Sequence, residues 1–476
     1  MIMPPITLFG HAFGEDFSLP LPIWMFMFAA VAALVLSFLI ASFLYDSKQE
    51  EAKLYTIAHK TELFSFLGKL LGTLLLLLTI ATGFFGSQFA SLNISVTFFW
   101  VIFLVGFTYV TAILGNVWKF INPFRTLIEL AEKTSHKAFT PRISYPAKLG
   151  YFPALLIYIA IIWLELLFDR FGTTPGNISL MLSGYVVLSL VGAYIIGKDI
   201  WFRYVDFFSV YFRLIAKLSP LAYRQGSIIL RWPFSGLMDN DKKSFSLLLF
   251  ILFMLSSTSF DGFTETKQYD SLRSSLPGFI FESPLLYGTI LLILSPLILF
   301  FVYVAFMVVA KIVTRTKLSV LDLSYKFAYT LIPIAIGYNI AHYFTYLLIN
   351  GQNIVKLASD PFNVGMDIFG TADFEPNITF LSPYTQWYIQ VGAIIIGHIA
   401  AVYIAHKVAL GIFTNRRQAI ISQLPVMGLM ILYTLLSLWI IAQPVFIAQE
   451  QIQVQRQEEF QRLEGIREPP KPMPPQ

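Results

Sequence analysis

Cysteine is absent from this 476-residue chain. That excludes a disulfide framework, a thiolate metal site and a dithiol redox pair. Charge is scarce: Asp, Glu, Lys and Arg make up 13% of the residues, against about 25% in a soluble domain. Histidine occurs six times. No HExxH, GxSxG or Walker-type stretch is present, so the common metalloprotease, serine-hydrolase and phosphate-loop signatures are missing. What fills the space is apolar. Hydrophobic residues make up 56% of the chain, and the mean hydropathy is +0.68.

Long apolar runs recur from end to end. Ten spans are expected, near 22–44, 64–86, 95–117, 150–168, 177–197, 244–260, 284–310, 322–349, 387–412 and 422–447. Each is near the ~20 residues that a ~30 Å hydrocarbon core demands. The runs are continuously apolar rather than alternating, which points to helices and away from a barrel. The expected fold is therefore an all-α, polytopic transmembrane helix bundle over 22–447. It is preceded by a short segment (1–21), carries a long loop (350–386) and is followed by a polar tail (448–476). The opening MIMPPITLFGHAFGEDFSLP has no basic n-region and no long apolar core, so the first span should direct insertion.

The net charge of +5 does not call for nucleic acid, because its basic residues are segregated. Most of the 33 Lys and Arg residues fall in alternate loops, among them Lys48, Lys119, Arg125, Lys198, Arg203, Lys243, Arg315, Arg416 and Arg417. The other set of loops holds Arg170, Lys267, Arg273 and Lys356 ahead of the tail. By the positive-inside rule the first set is cytoplasmic and both termini lie outside the cytoplasm. A multi-pass protein of the bacterial cytoplasmic membrane is the expected location, with the lipid bilayer as its first partner.

Two stretches of the basic loops are amphipathic. FRYVDFFSVYFRLIAKL puts Arg203, Asp206, Arg213 and Lys217 on one face and should lie in the membrane interface. NPFRTLIELAEK opens with Asn122 and Pro123, a helix-start pair. The opposite loops are acidic, with Asp261, Glu265, Asp270, Asp360, Asp367, Asp373 and Glu375. The longest of them, around Phe362–Phe369, is apolar enough to be expected as a packed cover over the helix ends. After Glu450 the chain turns Gln-, Glu- and Arg-rich and then proline-rich. It reads as a solvated tail or as an arm that docks on a membrane-protein partner.

Ionisable side chains inside apolar spans are costly and start as candidate functional residues. His342 lies ~12 Å and His398 ~16 Å below the outer surface, at ~1.5 Å per helical residue. They sit on consecutive spans and could meet. His406 is too far along the same helix to join them. His398 follows Gly397 on a small-residue stripe with Ala401 and Ala405, which turns it toward protein. His342 shares a stripe with Asn339, Thr345 and Tyr346. Glu165 and Asp261 lie at the outer ends of spans four and six. The expected site is a pocket lined by His342, His398, Glu165 and Asp261, open on the acidic side. Such groups suit general acid–base work or a divalent metal, Zn, Mn, Fe or Cu. The alternative is that these polar groups only fix helix packing.

Several of these stretches together resemble one family. They are HAFGEDFSLPLPIW, NPFR, WLEL, TSFDGF, AHYFTYLLINGQ, ASDPFNVGMDIFGTA and WYIQVGAIIIGHIAAVYIAHKVAL. The chain resembles the bacterial fenitrothion hydrolase-like integral membrane proteins from His11 to about Gln443. It departs from them at the start, with HAFG where members often read HGFG, and over the tail from Glu450. The resemblance implies hydrolysis of apolar phosphotriester-like esters. It marks His11, Asp261, His342, Gln352, Asp360, Asp367, His398 and His406 without assigning roles. His11, with His342, His398 and Asp261, is an expected metal ligand. Three functions compete: a membrane-embedded hydrolase, a subunit of a larger membrane complex that holds partners or a metal, and a transporter. The absence of an inverted repeat weighs against the last.

Overall fold

The computed structural model of the protein describes residues 19–44, 55–59, 62–168, 171–224, 227–238, 243–377, 379 and 381–467. Among them, nine helices are long and apolar enough to cross a membrane, and Phe152–Leu166 is a shorter apolar one. The ten are α1 (Ile23–Leu44), α2 (Glu62–Phe85), α3 (Ile94–Leu114), α4 (Phe152–Leu166), α5 (Pro175–Ile196), α6 (Phe245–Thr264), α7 (Pro284–Thr314), α8 (Ile332–Asn350), α9 (Pro383–Ile412) and α10 (Arg416–Arg467). The protein is an all-α polytopic membrane bundle. Each expected span has its helix.

The helices begin where local chemistry allows. Ser244, Ser283 and Ser382 cap α6, α7 and α9 by accepting a backbone N–H three residues on, and Pro follows directly at Pro284 and Pro383. Such caps satisfy donors that the first helical turn leaves open. α4, at 15 residues, covers only ~22 Å at ~1.5 Å per residue. It nevertheless runs parallel to α6. Tyr151 N donates to Ser246 Oγ at 2.7 Å where both begin, and Glu165 near the end of α4 shares a cavity with Ser257 and Thr258 in the second half of α6.

α6 is the buried axis of the bundle: Phe250, Leu252 and Phe253 are fully enclosed. Lipid-facing helices surround it, with Phe28, Phe43, Leu63, Phe85 and Phe301 exposed. α8 and α9 make the most extensive helix pair. Their contact is glycine on glycine. A Cβ on Gly397 would sit 2.6 Å from the Pro333 carbonyl oxygen, and one on Gly337 equally close to that of Ala393. The stripe expected from Gly397 is therefore a true close approach.

Three features differ from the sequence reading. The stretch 201–217 is not one interfacial helix. A π-helical turn, Trp201–Val205, breaks at Asp206, which caps a second helix, Phe207–Ile215. That helix is buried almost throughout and wedges against α3, α4 and α8. Its aromatic residues outnumber what one lipid-facing side can take, and Asp206 is satisfied internally by the Tyr185 hydroxyl at 2.5 Å and Ser209 N at 2.8 Å. A small antiparallel sheet also forms on the basic side, from β1 (Tyr55–His59), β2 (Leu221–Arg224) and β3 (Ser227–Leu230), in the order β1-β3-β2. Finally, the long acidic-side loop is no packed cover at its tip. Val364, Met366, Ile368 and Phe369 are exposed.

Asn122 does cap the helix Pro123–Ser135, through its side chain to Arg125 N. On that helix Glu129 meets Lys69 at 2.7 Å and Arg125 at 3.1 Å. Burial pushes the Glu129 carboxyl up, but the bonds from Lys69 and Arg125 outweigh it and hold the group below its usual range. At the other end of the chain, α10 continues without a break well past the membrane-length segment Arg416–Gln443. The first part of the polar tail is thus helical. His11 and the last nine residues lie outside the described residues.

Candidate functional site

The site is built where α4, α6 and α8 end on the acidic side. Asp261 is one turn from the end of α6. Its Oδ2 accepts the Tyr343 hydroxyl at 2.5 Å and His342 Nε2 at 2.9 Å. Two consecutive residues of α8 thereby converge on one carboxylate oxygen. The His342 side chain is 3% exposed, whereas that of Asp261 is 14% exposed, so the carboxylate is the member water can reach. Gly262 makes the approach possible. A Cβ there would lie 3.3 Å from His342 Cε1 and 2.6 Å from Ile440 Cγ2 on α10. The carboxylate fixes the tautomer: with Nε2 donating to Asp261, Nδ1 is the basic nitrogen of the neutral ring.

Glu165 comes within electrostatic reach of Asp261. Between them stands Tyr343, which lines the same cavity as Glu165 and bonds to Asp261. The cavity has a volume of about 60 Å³ and also takes Asn339, Tyr346, Ser257 and Thr258 into its wall. One side of it is the π-helical stretch Thr97–Gly106 of α3, through Trp100, Leu104 and Val105. Segments of this kind are rare and gather at functional sites. Just past the end of α6, Glu265 is pushed up to about 7, by burial first and by the Asp261 charge second, with His342 pulling the other way.

His398 does not join this group. Its Nδ1 donates to the Ile394 carbonyl of its own helix at 2.8 Å. Its ring faces Tyr433, 6.3 Å between centroids, and Tyr433 faces Tyr338, which in turn faces His342 at 6.3 Å. Two tyrosines thus separate the histidines that the sequence placed together. Depth along a helix does not give the direction each ring takes around it. His406 is held by Gln423 at 3.0 Å between α9 and α10. Gln352, Asp360 and Asp367 pin the acidic-side loop: Gln352 exchanges bonds with Asn377, Asp360 accepts Val364 N and Gly365 N, and Asp367 accepts Ala372 N.

The structure therefore brings together His342, Asp261 and Glu165 and leaves His398 aside. Sequence reasoning missed Tyr343, the residue that couples them. Its neighbour His342 was the available signal, but tyrosine is common near membrane interfaces and by itself marks nothing. As a metal centre the arrangement fits poorly. Among the described residues no three His, Cys, Asp or Glu side chains gather as ligands.

The fold and this site define a polytopic α-helical membrane protein with a carboxylate–imidazole pair held inside its bundle. No protein-family model, curated protein or solved structure matches the chain.

Proposed function

We propose that the protein is a membrane-embedded hydrolase whose acid–base centre is Asp261, His342, Tyr343 and Glu165. The observation that carries the reading is the convergence of His342 Nε2 and the Tyr343 hydroxyl on Asp261 Oδ2. A carboxylate that orients an imidazole and stabilises its charged form is a recurrent base for activating water. Glu165 and Tyr343 line the cavity where water would sit. A proton taken up there by the Tyr343 oxygen is matched by the one Tyr343 gives to Asp261 Oδ2, leaving a neutral acid that stays hydrogen-bonded to His342. The bond acted on would be that of an apolar ester, phosphotriesters included, in line with the resemblance of the sequence. The test is hydrolysis of a panel of nitrophenyl carboxyl esters and phosphotriesters by protein in nanodiscs. Asp261→Asn and His342→Ala should each lower kcat/KM at least a hundredfold, and His398→Ala less than fivefold. Equal rates in the wild type and Asp261→Asn sink the reading. A metal-dependent form would need a divalent ion at His342 and Asp261 with ligands from outside the described residues, such as His11. Metal analysis of the purified protein, together with His11→Ala, decides that point.

A second reading, as a subunit of a larger membrane complex, is favoured by the helix that carries α10 to Arg467 and by the exposed tip Val364–Phe369. Purification in mild detergent with the tail intact should then yield a heteromeric assembly. A lone monomer counts against it.

A further inference from the structure

The cavity beside the acid–base centre has a chemistry of its own. Six aromatic residues line it: Trp100, Tyr158, Phe207, Tyr211, Tyr343 and Tyr346. Among the described residues, Glu165 is the one carboxylate or amine in its wall, and no Lys, Arg or His lines it. No hydrogen bond or ion pair to the Glu165 carboxylate occurs among the described residues, and Asn339 contributes a buried Oδ1 that likewise has no partner there. A second carboxylate, Asp261, stands behind Tyr343. A carboxylate in an apolar bundle needs a proton or a cation. Aromatic rings around a carboxylate favour one cation class in particular. Quaternary and methylated ammonium groups are drawn to ring faces and shed their water cheaply, whereas sodium and potassium prefer a full set of oxygen ligands. Size agrees: a water needs about 10–15 Å³ of such space, so about 60 Å³ holds several waters or one small methylated ammonium.

We propose that this cavity binds a small organic ammonium cation, with Glu165 as its counter-ion and Trp100, Tyr158, Tyr211 and Tyr346 as the surrounding rings. The outer wall is the approach, since Glu165, Leu166 and Tyr346 are only partly buried. The inference is independent of hydrolysis, because binding is read with no ester present.

The experiment is calorimetric titration of the full chain in nanodiscs with methylammonium, tetramethylammonium and choline, each against sodium and potassium at equal ionic strength. Saturable binding of at least one ammonium, tenfold or more tighter than either metal ion, is expected. Glu165→Gln should weaken it at least tenfold, and Trp100→Leu should weaken tetramethylammonium more than methylammonium. Should Glu165→Gln fail to fold, Glu165→Asp serves, with a smaller loss of the same order among the three ligands. Absence of ammonium binding, equal binding of sodium, or unchanged affinity in the Glu165 variant overturns the proposal.

Discussion

At the scale of single residues, the site rests on one oxygen atom with two donors. Removing the Tyr343 hydroxyl takes one of the two donors, His342 being the other, from Asp261 Oδ2. Hydrogen bonds to charged groups are worth about 1.5–3 kcal/mol, so Tyr343→Phe should lower kcat/KM roughly ten- to a hundredfold while the protein still folds; a rate within twofold of wild type would remove Tyr343 from the centre. Glu265 makes a prediction in pH. Its folded-state pKa is raised to about 7 from an ordinary carboxylate value near 4.3. Between those values the unfolded chain has released a proton that the folded protein keeps, so stability falls as pH rises through that window. Glu265→Gln should flatten the fall, as read by thermal unfolding in detergent from pH 4 to pH 8. Which residues matter was partly legible. Asp261, His342 and Glu165 stood out because charge in an apolar span is rare. Tyr343, Gly262 and Tyr433 did not, because tyrosine and glycine are ordinary there and only geometry gives them work.

At the scale of elements, the apolar runs gave every span, since length and hydropathy are properties of the local sequence. What they hid was irregularity. TFFWVIFLVG is as apolar in a π-helix as in an α-helix, and nothing in its composition distinguishes the two. The wedge around Asp206 was misread for a related reason: a run of aromatic residues with a few charges fits a buried helix with satisfied polar groups as well as an interfacial one. The α8–α9 contact is where an element-level change should be felt most. Gly397→Ala puts a methyl 2.6 Å from a backbone carbonyl oxygen that cannot rotate away. Overpacking of this kind costs about 1–3 kcal/mol. A lowered unfolding temperature is expected, whereas Gly392→Ala, whose added Cβ meets nothing within 4 Å, should leave it unchanged. If the two variants melt alike, the helices are not in glycine contact.

At the scale of the whole molecule, we propose from the charge pattern that all nine helices of membrane length and the shorter α4 cross, which would put both termini on the acidic side. The positive-inside rule is the ground for proposing that this side lies outside the cytoplasm. A reporter fused after Gln476 should therefore be active outside the cell, and a label at Lys137 should react only after the membrane is opened. Both results reversed would mean that the bundle is inverted, and a reporter inside the cell with Lys137 still protected would mean that the short helix α4 does not cross. In that proposed topology Asp261 and Glu165 would lie toward the outer ends of their helices, with His342 near the middle of α8 beside them. The central claim is that Asp261 and His342 act as one unit in that place. Kinetics of Asp261→Asn, His342→Gln and the double variant on a hydrolysed ester test it most directly. Groups that work together lose their effect together, so the double variant should be no slower than the slower single one, within about threefold. Losses that multiply in the double variant, or single variants as fast as wild type, would contradict the account.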